Sequence, residues 1–232
     1  MCIGVVGRIG EELLNHLLTD PGYASVQVIV HSPLRAAVPR LVPILVGENA
    51  YSAPPAATTA LPVAHDVFCC ISDTPSYYKT DKAYLPVREN QVLAIAWAAV
   101  AAGAQRFVLI SPLTAFMQLG HGIALPGREQ EAELARLPFD KTIIARPPLA
   151  ASASMGTSMP ARVAGWVIDT LTQYMTPATL HPLRAAAVAK AAVIACQRGA
   201  GGFRILGPAE LRALSGEPEP APFWSAGPRR EG

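Results

Sequence analysis

Short apolar runs alternate with longer helical patterns along most of the chain, and this alternation constrains the fold more than any other feature. The runs are nearly continuous, as expected for strands that helices cover on both faces. They span residues 26–30, 41–46, 67–71, 107–110 and 142–145. The helical patterns between them span residues 11–18, 89–102 and 128–136. Because this alternation is typical of βαβ units, we predict an α/β fold with a doubly wound parallel sheet.

The pattern changes after residue 146, where prolines and small residues follow the last of these strands. Further elements are predicted beyond this point: a helix at 162–173, an Ala-rich helix at 185–196, a short strand at 203–206 and a terminal helix at 209–214. We expect one domain over residues 1–214, in which residues from about 147 to 214 form an extension on the substrate side. Residues 215–232 are rich in Pro, Glu, Gly and Arg, and we expect a disordered tail there.

Composition and charge exclude several classes of protein. Nineteen Lys and Arg against seventeen Asp and Glu are scattered along the chain, which argues against a nucleic-acid partner. The longest apolar stretch, residues 92–104, is shorter than the roughly 20 residues of a membrane span, and no signal-peptide pattern is present. The four cysteines lack CxxC spacing, and no histidine lies at metal-ligand spacing. We expect a cytoplasmic protein without a metal site, with reduced thiols, as a monomer or homodimer.

Three glycines recur every third residue near the start of the chain, directly before the first helical pattern. At a strand-to-helix turn, the first permits the bend, the second lets a pyrophosphate approach, and the third lets the helix pack closely. The helix N-terminus supplies N–H groups for phosphate. We therefore predict a dinucleotide site formed by Gly4, Gly7, Arg8, Ile9 and Gly10. The alternative is a Gly-rich turn that binds nothing.

Residues 4–14 resemble the GxxGxxG opening of extended and atypical short-chain dehydrogenases, which are related to NAD-dependent epimerases and dehydratases. Residues 66–71 resemble the fourth strand of the small atypical branch that includes the HIV Tat-interacting-protein-like NAD(P)-binding proteins. Later segments are similar to that branch as well: residues 101–111, 127–134, 143–147, 180–192 and 203–214. The resemblance implies a Rossmann fold that binds NADP or NAD.

The end of the second strand usually distinguishes the two cofactors. An acidic residue there binds the ribose hydroxyls of NAD, whereas an arginine holds the 2'-phosphate of NADP. This segment has no acidic residue, and His31 and Ser32 replace the family's paired arginines, so Arg35 is the nearest permanent cation. We predict NADP, with NAD as the alternative, although Arg35 is equally consistent with a solvated surface charge. Ser72, after the fourth strand, is either a further cofactor contact or an ordinary turn residue.

The resemblance fails at the usual catalytic pair. Short-chain dehydrogenases use a tyrosine and a lysine four residues later, and these positions align with Ile123 and Gly127. Neither residue can transfer a proton. Ser111 retains the family's serine and is the one candidate catalytic residue. Tyr78 and Lys82 have the right spacing, but they follow the fourth strand, and we interpret them as part of a solvated loop.

The first strand is unusually short, because only Met1, Cys2 and Ile3 precede Gly4. Strands typically have about five to six residues. Either the native start lies upstream, or the fold tolerates a stunted central strand.

Three functions are compatible with these features. The first is a dinucleotide-binding sensor or scaffold that lacks classical catalysis and serves an unidentified small molecule or protein partner. The second is a weak NADP-dependent oxidoreductase with an unknown carbonyl substrate. The third is an interaction protein with an empty cofactor cleft.

Overall fold

The computed structural model describes residues 1–47, 49–51, 59–71, 83–111, 128–148 and 183–218. Its seven strands form one sheet, in the order β3-β2-β1-β4-β5-β6-β7, and every neighbouring pair is parallel. The strands are β1 (Cys2–Ile3), β2 (Val26–Val30), β3 (Leu41–Leu45), β4 (Asp66–Cys70), β5 (Arg106–Ile110), β6 (Lys141–Ala145) and β7 (Gly202–Leu206). The predicted parallel α/β sheet is confirmed.

Helices cover both faces of this sheet. Those of the described ranges are α1 (Arg8–Thr19), α2 (Val92–Ala101), α3 (Arg128–Leu134), α4 (Ala185–Gln197) and α5 (Pro208–Ser215), with a 3-10 turn at Glu89–Gln91 before α2. Apolar residues of α2 and α3 belong to one buried cluster, and those of α1, α4 and α5 belong to the other. The sheet is therefore doubly wound.

Strand β4 shows how one short sequence contributes to both cores. All five of its residues are buried. Side chains alternate across a sheet, so Val67 and Cys69 contact the α2 side, while Phe68 and Cys70 contact the α1 side. This explains why the run is continuously apolar rather than alternating.

Strand β1 is as short as the sequence indicates, yet it is an inner strand, the third in the order of the described sheet. Cys2 pairs with both Val28 and Phe68, and the side chains of Cys2 and Ile3 are fully buried. The carbonyl of Met1 accepts a hydrogen bond from the Phe68 N–H at 2.9 Å, which extends the ladder by one residue. Two flanking strands hold this short segment in register.

One prediction about burial is wrong. Residues 41–46 were expected to form a strand covered on both faces, but β3 is an edge strand in which Leu45 is 63% exposed and Val42 is 44% exposed. The order of the strands, which an apolar run does not encode, explains the difference. Pro43 fits this position, because proline lacks the N–H that an inner strand needs.

The C-terminal elements belong to the same sheet and core. Strand β7 pairs with β6 over its full length, and α4 packs against α1. The predicted helix at 162–173 lies outside the described residues, as does the tail from residue 219 onward. Helix α5 ends at Ser215, and Gly216 adopts the left-handed conformation (φ 73°) that commonly follows a helix. Whether residues 147–214 act as a substrate-side extension stays a prediction.

Candidate functional site

The glycine turn lies at the carboxyl end of the inner strand β1. Gly4 has φ 76° and Gly7 has φ 87°, and residues with side chains rarely adopt either value. A Cβ on Gly4 would collide with the carbonyl oxygen of Cys70 and would lie 3.1 Å from Cγ2 of Val87. The chain can turn away from β1 here because position 4 has no side chain.

Gly10 has a separate role, one turn into α1. A Cβ there would lie 2.9 Å from the Cα of Val5 and 3.0 Å from the carbonyl oxygen of Gly4. Real Cβ atoms essentially never come that close to backbone. Gly10 therefore lets the helix lie directly against the turn, as the spacing of the glycines predicts.

The N-terminus of α1 points toward the carboxyl edge of the sheet. Gly7 is its N-cap residue, and no side chain caps it. The first backbone hydrogen bond runs from the Glu11 N–H to the Gly7 carbonyl at 3.0 Å. The first turn of a helix has N–H groups without helical acceptors and a partial positive charge, so this end suits an anion such as phosphate.

The end of β2 is partly covered by another segment of the chain. Residues 83–85 run antiparallel beside it: the His31 N–H donates to the Ala83 carbonyl at 2.8 Å, and the Leu85 N–H donates to the Ile29 carbonyl at 3.3 Å. His31 and Ser32 are half-buried, and Arg35 is exposed beyond them. A ligand at this end would therefore meet side chains rather than the His31 backbone N–H.

Ser111 lies at the same edge, two strands from the glycine turn. Its N–H donates to the Ala145 carbonyl at 2.9 Å, and its side chain is half-buried. Neighbouring strands are about 4.8 Å apart, so the ends of β1 and β5 are about 10 Å apart. That distance is within the span of a dinucleotide.

A charged pair at this edge was not predicted from the sequence. Arg146 follows β6, and its guanidinium donates a hydrogen bond to the carboxylate of Glu131 on α3. The signal was an arginine directly after a predicted buried strand, where ligands bind in parallel sheets. In the sequence, Arg146 marks only the boundary where the composition changes.

Several predicted residues lie outside the described part of the chain. They are Ser72, Tyr78, Lys82, Ile123 and Gly127. The interpretations of the missing catalytic pair and of the Tyr78 loop therefore stay predictions.

The cysteines do not supply a nucleophile. All four are free and buried. Burial raises the pKa of the Cys2 and Cys196 thiols to about 12, so both are protonated at neutral pH. Within the ranges described above, no cluster of His, Cys, Asp and Glu could hold a metal ion. No helix in those ranges combines the length and apolarity that crossing a bilayer requires.

The opposite edge of the sheet carries a second group of charges that the sequence did not indicate. Asp66, at the start of β4, accepts hydrogen bonds from Arg106 Nε at 2.5 Å and from the Tyr23 hydroxyl at 2.8 Å. Lys141, at the start of β6, donates to four carbonyls around the end of α4, at 2.8 to 3.4 Å. Asp66 thus pairs with two side chains, and Lys141 is satisfied by backbone carbonyls.

Comparison with known proteins gives structural matches only. No model of a protein family and no curated protein matches the sequence. The structure of MoeE5 in complex with UDP-glucose and NAD has a TM-score of 0.50 at 15% identity, over 93% of this chain and 80% of that one. The crystal structure of gox2253 has a TM-score of 0.47 at 16% identity, over 95% of this chain and 76% of that one.

This chain has a Rossmann fold. The match to MoeE5, together with the strand order and the glycine turn, confirms the fold that the sequence resemblance implied. At 15% identity the likeness extends to the fold alone.

Proposed function

We propose that this protein binds a nicotinamide dinucleotide, preferably NADP, across the carboxyl edge of its sheet. The pyrophosphate would lie on the turn from Gly4 to Gly10, at the N-terminus of α1. The adenosine half would extend over the end of β2 toward Arg35, and the nicotinamide half over β4 and β5. With the usual Tyr and Lys absent from their aligned positions, the protein acts as a cofactor-dependent sensor or scaffold.

One observation carries this proposal: a turn with positive φ at Gly4 and Gly7 leads into a helix N-terminus that no side chain caps, at the carboxyl end of an inner strand of a parallel sheet. A side chain at the N-cap commonly satisfies a helix end, and the absence of one at Gly7 leaves the N-terminus of α1 suited to an anion. MoeE5, which shares the fold, was solved in complex with NAD, and this supports a dinucleotide as the ligand.

A titration of NADPH and NADH, followed by nicotinamide fluorescence, tests the binding. Gly7→Ala should weaken both cofactors roughly tenfold or more, because strain at such a backbone position is on the order of 1–3 kcal/mol and the turn must shift. Gly216→Ala is the matched control: its φ is also positive, at 73°, but it follows α5 and has open space around it. No saturable binding by the wild type would overturn the proposal.

Turnover distinguishes the sensor from the oxidoreductase. A positioned proton donor typically contributes about 10²- to 10⁴-fold in rate. We therefore expect NADPH oxidation with aldehydes and ketones to be slow, and Tyr78→Phe to leave it unchanged. Fast oxidation that this variant abolishes, with NADPH binding intact, would establish the oxidoreductase instead.

A further inference from the structure

Arg146 has a fixed backbone at the carboxyl edge of the sheet. Its N–H donates to the Leu206 carbonyl at 2.9 Å, which ties the end of β6 to β7. Pro147 and Pro148 follow, and their rings restrict the chain beyond it. The side chain starts from a rigid position and is 20% exposed. The guanidinium is thus held in place while part of it remains accessible.

Among the described residues, the guanidinium of Arg146 uses only part of its donors. Glu131 takes a hydrogen bond from Nη2 and is itself 22% exposed. Within the described residues, the Arg146 side chain makes this one hydrogen bond. A guanidinium has five N–H donors in a planar fork, which matches a carboxylate in bidentate geometry. Glu131 can orient the fork and still leave donors for a second anion.

Ser111 is the neighbour of Arg146 in the sheet. Ile110 pairs with Ala145 in the β5–β6 ladder, so the next residue of each strand end, Ser111 and Arg146, also lie side by side. The backbone of Ser111 therefore lies beside that of Arg146, on the far side of the glycine turn from β2. This is the side on which the proposed function places the nicotinamide half of the cofactor.

We propose that Arg146 binds a carboxylate of the second ligand, beside the nicotinamide half of the dinucleotide. The ligand class is a small carbonyl compound that bears a carboxylate. The inference rests on the proposed function for the position of the cofactor. Because Glu131 offsets the charge of Arg146, recognition depends on the geometry of the fork more than on long-range attraction.

The experiment compares two probes of nearly equal shape, 4-carboxybenzaldehyde and its neutral amide, 4-formylbenzamide. Their affinities for the full-length protein are measured by calorimetry with and without saturating NADPH. Wild type should bind the acid roughly tenfold more tightly than the amide, the scale expected for hydrogen bonds to a charged group. Equal affinities, or a preference for the amide, would overturn the inference.

Three variants test whether Arg146 causes the preference for the acid over the amide. Arg146→Gln should abolish it, and Arg146→Lys, which keeps the charge but loses the fork, should reduce it at least threefold. Arg136→Gln removes the same charge from an exposed site past the end of α3 and should leave the preference unchanged. Retention of the wild-type preference by Arg146→Lys would contradict bidentate binding. If Arg146→Gln does not fold, Arg146→Lys decides the question.

Failure of this inference can be distinguished from failure of the proposed function. NADPH binding without a preference for the acid would overturn only the role of Arg146. A preference for the acid that depends on Arg146, in a protein that does not bind NADPH, would overturn the dinucleotide function and leave the carboxylate site.

Discussion

The polar groups at the two edges of the parallel sheet differ in whether they have partners within the protein. At the amino edge, Asp66, Arg106 and Tyr23 satisfy one another, and Lys141 fills the carbonyl end of α4. At the carboxyl edge, the N-terminus of α1 has no side-chain cap, and Arg146 has donors beyond the one that Glu131 accepts. The polar groups named at the amino edge make internal contacts, whereas those at the carboxyl edge offer donors that the proposed ligands would use.

Strand polarity produces this difference. In a parallel sheet every strand ends at the same edge, and the helix that follows it begins there, so helix N-termini converge on the carboxyl edge. Helix C-termini converge on the amino edge, where cations such as Lys141 can bind their carbonyls. We therefore expect substitutions at the amino edge to change stability alone and those at the carboxyl edge to change binding.

The largest effect on stability is expected at Gly4, because this position at the carboxyl edge has no room for a side chain. Gly4→Ala would place a Cβ on the Cys70 carbonyl, and we expect a loss of more than about 4 kcal/mol in the free energy of unfolding, or no folding at all. Gly103→Ala is the control, because its φ of 78° is similar and nothing lies within 4 Å. Gly103→Ala should lower the free energy of unfolding by about 1–2 kcal/mol. Urea denaturation of both variants measures the contrast, and equal losses would disprove the steric role of Gly4.

The next effect tests whether the amino edge serves stability alone. Asp66→Asn removes the carboxylate that pairs with Arg106 and Tyr23, and we expect about 2–4 kcal/mol of destabilisation. The affinity for NADPH, measured below the unfolding transition, should not change. Asp140→Asn, at an exposed position of the same edge, should alter stability by less than about 0.5 kcal/mol. A weakened NADPH affinity in folded Asp66→Asn would show that the two edges are coupled.

Patterns within short segments predicted the helices and strands well. Apolar runs located the strands to within a residue or two, and three glycines located the turn, because local sterics and burial on both faces leave a direct trace in sequence. The exposed β3 was not predicted, since an apolar run does not reveal which strand lies at the edge.

Contacts between distant residues left no such trace. Asp66 and Arg106 are 40 residues apart, and Arg146 and Glu131 are brought together only by the crossover from α3 to β6. A further case is Arg40, which has φ 66° and donates to the carbonyls of Leu18, in the last turn of α1, and Asp20, directly after it. Each charge was visible in the sequence, but its partner depended on the order of the strands.

The smallest effect concerns the choice of cofactor at the carboxyl edge. Arg35 is exposed beyond β2, and in the proposed site its guanidinium would pair with the 2'-phosphate of NADP. Arg35→Ala should weaken NADPH about tenfold at low salt and leave NADH unchanged, because only NADPH has that phosphate. Arg198→Ala removes a charge that is also exposed, near the amino edge, and should change the affinity for neither cofactor.

Added salt should narrow the difference in NADPH affinity between wild type and Arg35→Ala, because the pair is solvent-exposed. The Debye length falls from about 30 Å at 0.01 M to about 8 Å at 0.15 M. Fluorescence titrations with both cofactors at two salt concentrations measure this, and an equal loss for NADH would show that Arg35 acts on the structure of the β2 end and not on the phosphate.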